Sequence, residues 1–369
     1  MTTVILAGAF GQSDPGGEAV LAAFRTALPG CDLLVASSDP AQTQARHRVG
    51  AFLATDTRTT LHAVRECEAA LLTGSSLSNS LAGSTRQAPH DRLRTPMALA
   101  LAAKVGGRIL ALFGVDVRPP ADWRSRRLAR LLARHADLLV VRDEESASAL
   151  IAAGVPGPLR VGADPAWALL DAPTMEAGSR WDEVVVVISR HVATPEHLPQ
   201  LAAGLARLPA VGLRLRVQPW RVGGPGPDDL DVAEQLAALV GGAATVVAPP
   251  ADLPSASAQF RNARLVVAMR FHALVAATAA GTPCLAVQRG GSLASLARRL
   301  RQPWAPPTVS PDELAAASIG ALESGSVDPA SVQAETAAAR GGFALLRLVL
   351  GDGAGPVEQV NGLRLEPAP

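Results

Sequence analysis

Short runs of Val, Ile, Leu and Ala recur along this chain at intervals that leave room for one helix between each pair, and the pattern plays through twice. In the first half the runs are TVILAG, DLLVAS, AALLTG, RILALFG and DLLVVRD; in the second they are EVVVVIS, LRLRVQ, ATVVA, RLVVAM and PCLAV. Strands apolar on every residue are buried on both faces, and helical spacers between them make βαβ units with a parallel sheet. The helix expected from Glu18 to Leu28 shows the matching periodicity, with Val20, Phe24 and Leu28 on one stripe and Asp14 and Pro15 as its N-cap and first turn.

Between the two series lies DAPTMEAGSRWDE, rich in Pro, Gly and acid, which sets a domain boundary near residue 175. A chain of 369 residues exceeds the size at which one hydrophobic core stops growing, so two domains are expected. The division is 1–174 for an N-terminal Rossmann-like domain and 181–310 for a C-terminal one. Two amphipathic helices follow over 311–350, then a frayed polar tail over 351–369. The fold class is therefore α/β, two Rossmann-like doubly wound domains facing a cleft, in which residues just after strands are the place to look for chemistry.

A net charge of +1 and an ordinary charged fraction exclude a general affinity for nucleic acid. Cys31, Cys67 and Cys284 have neither metal-ligand nor disulfide-framework spacing and read as small buried hydrophobes, and no metal site is expected. The start, MTTVILAGAFG, lacks a basic region and reads as the first buried strand of a cytoplasmic protein. The apolar window from Met97 to Val115 is broken by Lys104, Gly106, Gly107 and Arg108, so it is a helix followed by a strand and not a bilayer span.

The segment MRFHALVAATAAGTPCLAV carries an arginine and a histidine where a buried element would have neither. RLVVAM is a strand, ALVAATAA a helix, and Gly281 its C′ stop, which puts Arg270 and His272 at a strand exit and a helix N-terminus. Free N–H groups, a guanidinium and an imidazole together suit a phosphate or carboxylate. The alternative is an arginine paired with a nearby carboxylate and a histidine bonded to backbone. Arg142 after DLLVVRD and Arg190 with His191 after EVVVVIS repeat the position; each alone reads as a surface salt bridge, and three together imply a ligand with more than one negative charge. GAFGQSDPGGEA and TGSSLSNS are small-residue loops after strands, neither with a nucleotide fingerprint. VGGPGPDD, Val222 to Asp229, reads as an exposed loop, and His47, His62, His90, His135 and His197 as surface residues.

Four segments in order, GGEAVLAAF, VRDEESASALIAAGV, GADPAW and MRFHALVAATAAGTPCLAV, make the chain from about Val4 to Leu300 resemble the polysaccharide pyruvyl transferase family, most closely its bacterial cell-wall branch. The resemblance implies a GT-B-like fold and transfer of pyruvate from phosphoenolpyruvate to two hydroxyls of a sugar, forming a cyclic ketal. The typical acceptor is an N-acetylmannosamine unit of a cell-wall glycan or lipid-linked precursor, and the ketal anchors surface-layer proteins. It implies no cofactor beyond phosphoenolpyruvate as co-substrate, no nucleic-acid partner, and, for a lipid-linked acceptor, contact with the inner face of the membrane. His272 is then the general acid/base, Arg270 the donor-binding group, and Arg142 or Arg190 its companion. Gly11, Glu18, Gly74, Ser75, Ser76 and Arg289 fall at acceptor-side or loop positions. The chain departs from the family pattern where Asp14 and Gly17 replace an asparagine and an acid, where TGSS replaces GGGS, and where QRGGSL replaces a segment with lysine, for which Arg289 would stand in. Two other readings share the architecture: a GT-B glycosyltransferase or sugar-nucleotide epimerase, and a non-catalytic homologue that binds cell-wall precursors.

Overall fold

Three consecutive residues of the first strand, Val4, Ile5 and Leu6, are fully buried. Such a strand needs neighbours on both edges and helices on both faces, and it has them. A computed structural model of the protein describes residues 2–74, 94–119, 123–155, 159–173, 181–224, 228–324, 327–351 and 364–365. The chain divides into two compact units, one of Met1–Gln12, Val20–Ala168 and Glu335–Pro369, the other of Ser13–Ala19 and Leu169–Ala334.

In the first unit β1 (Thr2–Ala7) pairs in parallel with β2 (Cys31–Ser37) on one side and β4 (Ala69–Gly74) on the other. Beyond β2 lies β3 (Gly50–Leu53); beyond β4 lie β5 (Ile109–Val115), β6 (Leu138–Val141) and β7 (Arg160–Val161), all parallel. Among the described residues the helices are α1 (Pro15–Ala27), which counts with this unit from Val20 onward, α2 (Pro40–His47), α3 (Thr57–Glu66), α4 (Arg94–Val105), α5 (Trp123–His135) and α6 (Glu144–Ala152). Asp14 accepts from the Gly16 and Gly17 N–H groups at 2.8 and 3.4 Å, so α1 starts at Pro15, three residues before the expected Glu18. The first unit closes around Phe24, Phe113 and Phe343, whose ring centroids lie 4.9–5.5 Å apart.

The second unit has a six-stranded sheet, all parallel. Its strands are β8 (Glu183–Ile188), β9 (Arg214–Pro219), β10 (Ala244–Val246), β11 (Leu265–Ala268), β12 (Cys284–Val287) and β13 (Trp304–Ala305), in spatial order β10-β9-β8-β11-β12-β13. The helices are α7 (Leu198–Leu205), α8 (Leu230–Val240), α9 (Leu253–Phe260), α10 (Phe271–Ala279), α11 (Ser292–Arg299) and α12 (Pro311–Glu323). From Ala273 to Ala279 every residue of α10 is buried, as expected of a helix apolar all round. Gly281, at φ +76°, ends it as the sequence indicates.

Two expectations need correction. The pair of helices after residue 311 is no single appendage: α12 counts with the second unit, whereas α13 (Pro329–Val349) from Glu335 onward belongs to the first, where Phe343 completes the aromatic cluster. The tail after 351 is not wholly frayed, because Arg364–Leu365 forms β14, antiparallel to β7. The short strands β3, β7 and β13 went unpredicted; β7 and β13 span only two residues each, too few to show a period.

Each sheet reverses direction once. In the first unit the chain runs outward through β1, β2 and β3, then returns to the other side of β1 with β4; in the second it runs through β8, β9 and β10, then returns beside β8 with β11. The crevice outside the carboxyl ends at such a reversal is where open α/β sheets bind ligands.

Candidate functional site

The reversal in the second unit falls between β8 and β11, and the residues leaving these strands are Arg190 with His191 and Arg270 with His272. Register fixes their levels. Ala268 pairs with Val187 on one side and Ala286 on the other, and Ile188 with Pro219. Arg221, Arg190, Arg270 and Arg289 thus each follow, by two residues, the end of one of four adjacent strands spaced about 4.8 Å apart.

What holds this edge together is a carboxylate the sequence reading placed in an exposed loop. Asp229 is fully buried. Its Oδ1 accepts from the Arg190 backbone N–H at 3.0 Å, its Oδ2 from the Arg221 backbone N–H at 3.0 Å, and the Arg270 Nη2 donates to both oxygens at 2.7 and 2.5 Å. One acid therefore ties the exits of β8, β9 and β11. Its sequence signal was an aspartate directly before the helical run LDVAEQL, a common N-cap position.

Arg270 is not used up by this pair. Its side chain stays 16% exposed, its Nη1 lies 3.9 Å from Asp14, and its Nε is buried with no hydrogen-bond partner among the described residues. Arg270 is also the N-cap of α10, and its side chain makes no capping hydrogen bond.

His272 stands on the first turn of α10, half-buried, with the Phe271 ring edge-on at 5.2 Å. Its other wall is Gly16 of α1: a Cβ there would overlap the imidazole at Nδ1 and Cγ. Only glycine lets the ring lie where it does. Asp14, Gly16, Arg270 and His272 all belong to the second unit.

His191 is exposed at the same edge. Displacement of water by the surrounding chain, then the nearby Arg270 charge, lower its pKa below the ordinary 6.5, against the pull of Asp229. Its neighbour Arg190 is exposed and donates from Nη1 to the Asp228 carbonyl at 3.2 Å.

The remaining candidates fall in different settings. Arg142, in the first unit, is buried: its Nη2 lies 2.6 Å from Asp116 and its Nη1 3.3 Å from Asp164. Burial alone would lower its pKa, but Asp116, Asp164 and Asp143 more than offset this, and the net shift is upward. Its charge is thus matched inside the first unit. Asp164, the acid of GADPAW, also accepts from the Ala166 N–H at 3.0 Å. Gly11, at φ +66°, passes against the Asp39 backbone, where a Cβ would come within 2.6 Å of the amide nitrogen. Glu18 is buried in the first turns of α1. Gly74 ends β4 at φ +77° with open space beside it. Ser75 and Ser76 lie outside the described residues.

Arg289 is exposed after β12, and its Nη2 meets Nε2 of His197 at 2.5 Å. His197 is buried, as is His47, so the expectation that both are surface residues is wrong. Both sit where helical pattern and polarity give no hint of burial: His47 closes α2 and accepts the Arg25 guanidinium on its carbonyl, and His197 is wedged before α7. Among the described residues no three His, Cys, Asp or Glu side chains are grouped to hold a metal ion.

The fold has relatives among solved structures. HepE of Anabaena, in complex with UDP, is 16% identical and superposes with a TM-score of 0.61, covering 95% of this chain and 98% of that one. A UDP-N-acetylglucosamine 2-epimerase from Methanocaldococcus jannaschii is 11% identical, TM-score 0.64, over 95% and 99%. A Listeria monocytogenes protein described as a putative UDP-N-acetylglucosamine 2-epimerase gives 13%, 0.64, 96% and 98%. At such identities the likeness shows the fold alone, the two-domain Rossmann-like fold of GT-B glycosyltransferases and epimerases. Among curated proteins none matches the sequence. The profile of the polysaccharide pyruvyl transferases matches residues 17–290, a span that takes in Asp229, Arg270 and His272, and the chain belongs to that family.

Proposed function

We propose that this protein transfers pyruvate from phosphoenolpyruvate to two hydroxyls of a glycan sugar, as a ketal, with release of phosphate. The observation that carries the reading is Arg270: a partly exposed guanidinium at the sheet reversal of a family member, held by Asp229 two residues from an imidazole. In this reading Arg270 grips the donor, and Arg190 or His191 adds the second cationic contact that a phosphate and a carboxylate together require. Arg142 takes a structural part instead, since its buried charge already faces Asp116 and Asp164.

The chemistry then balances as follows. A proton adds to the methylene carbon of phosphoenolpyruvate while the first sugar hydroxyl bonds to the central carbon and gives up its proton. The second hydroxyl bonds to the same carbon as the carbon–oxygen bond to phosphate breaks, and its proton leaves with the phosphate. His272, fixed by Gly16 and Phe271, carries protons between hydroxyl and methylene. The acceptor is a cell-wall sugar of the N-acetylmannosamine type, free or lipid-linked, and the exposed Arg289 after β12 is a candidate for contact with it.

The test is to incubate the purified protein with phosphoenolpyruvate and amino-sugar acceptors, following inorganic phosphate and ketal-bearing product. His272→Ala is expected to slow phosphate release by about 10²- to 10⁴-fold. An unchanged rate removes His272 from the reaction. The UDP bound in HepE supports a second reading, a nucleotide-sugar enzyme on the same fold. Turnover of a UDP-sugar without response to phosphoenolpyruvate establishes that reading instead.

A further inference from the structure

Helix α5, WRSRRLARLLARH, carries five arginines and no acid in 13 residues, in a chain whose net charge is only +1. Its buried stripe is Ala129, Leu132 and Ala133, packed into the core of the first unit. At 100° per residue the exposed Trp123, Arg127, Arg130, Leu131, Arg134 and His135 lie on an arc apart from this stripe, and the exposed Arg126 lies at the border beside Ala133. Trp123 is 67% exposed and Leu131 42%. Among the described residues no carboxylate lies within ion-pair distance of Arg126, Arg127, Arg130 or Arg134. Arg130 donates only to a neutral acceptor, the Ala153 carbonyl at 3.0 Å. Three cations elsewhere in this unit do face acids: Lys104 pairs with Asp137, Arg118 with Asp116 and Glu145, Arg142 with Asp116 and Asp164.

We propose that the outer face of α5 is a docking surface for an anionic lipid bilayer. A helix with unmatched arginines on its outer arc and an indole and a leucine standing among them has the makeup of an interfacial helix. The indole and aliphatic groups enter the headgroup boundary, and the guanidiniums meet lipid phosphates while their stems lie along apolar surface. An acidic protein would match the charge but would leave Trp123 and Leu131 without purpose. Helix α4, which packs beside α5, exposes Leu101 and Val105 and adds apolar surface to the same unit. No described helix is long and apolar enough to cross a membrane, so the contact is peripheral. The inference holds whether or not phosphoenolpyruvate is the donor.

The test is flotation of the full chain with vesicles of phosphatidylcholine alone or mixed with phosphatidylglycerol. Binding is expected only to the mixed vesicles and falls as salt is added. A triple variant, Arg126→Gln, Arg127→Gln and Arg134→Gln, keeps helix propensity and lowers the partition coefficient about a hundredfold, near fivefold for each charge. The parent's tryptophan emission shifts to the blue on binding, and Trp123→Phe removes most of that shift. Far-ultraviolet circular dichroism confirms that the variants fold. Equal partition of the triple variant, equal binding to both vesicle types, or capture by a polyglutamate resin with no vesicle binding each overturns the proposal.

Discussion

Arg142 and Arg270 look alike in sequence: each leaves an aliphatic strand and precedes a helix. In the folded chain they differ in company. Arg142 is buried beside Asp116, Asp164 and Asp143, whereas Arg270, partly exposed at its strand exit, faces the fully buried Asp229 and, at 3.9 Å, Asp14. The two strand-exit arginines thus differ in burial more than in the number of acids at hand: the Arg142 side chain is 4% exposed and that of Arg270 16%. The deciding residues lie elsewhere in the chain: Asp116 and Asp164 in one case, Asp14 and Asp229 in the other.

The largest effect that could erase this contrast is on stability. Asp164→Ala strands part of a buried guanidinium and is expected to cost about 3–5 kcal/mol. Arg270→Ala costs less, because Asp229 retains the Arg190 and Arg221 N–H groups, while donor-dependent phosphate release collapses. Urea unfolding midpoints measured beside rates decide it, and equal losses of stability in the two variants would show that Arg270 is a brace as well.

A second experiment sharpens the contrast at His272. Gly16→Ala puts a methyl where the imidazole lies, and displacing the ring by about an ångström is expected to lower kcat by on the order of a hundredfold. Gly242→Ala, where a Cβ meets open space, is the matched control and leaves kcat unchanged.

The smallest effect is on pH dependence, and it belongs to the Arg270 edge alone. The folded His191 imidazole is less basic than a free one. Below the ordinary histidine pKa of about 6.5 the unfolded chain binds a proton that the folded chain does not. Stability is therefore present above that pH and declines as pH falls toward the folded pKa. A bound phosphate offsets the Arg270 charge and restores basicity, so binding takes up protons. Donor affinity accordingly rises, by less than about tenfold, as pH drops below 6.5, and His191→Gln flattens the trend in calorimetric titrations.

Much of the fold was legible because parallel strands buried on both faces, such as Val184–Ile188, print themselves as unbroken aliphatic runs. Arg270 and His272 were legible for the opposite reason, as polar residues at the edge of such a run. Asp229 was not: it sits in a Gly- and Pro-rich stretch whose composition signals exposure, and its burial arises only when three strand exits converge. His197 and its contact with Arg289 were hidden likewise, because 92 residues of chain separate the partners. Two-residue strands such as β14 exist only through their neighbours and carry no pattern of their own.

The bare Cα of Gly16 under His272 has one further consequence. A side chain at that spot would behave as a built-in plug, already occupying the imidazole's seat, so any residue larger than glycine at position 16 acts first by pushing the ring at position 272 aside.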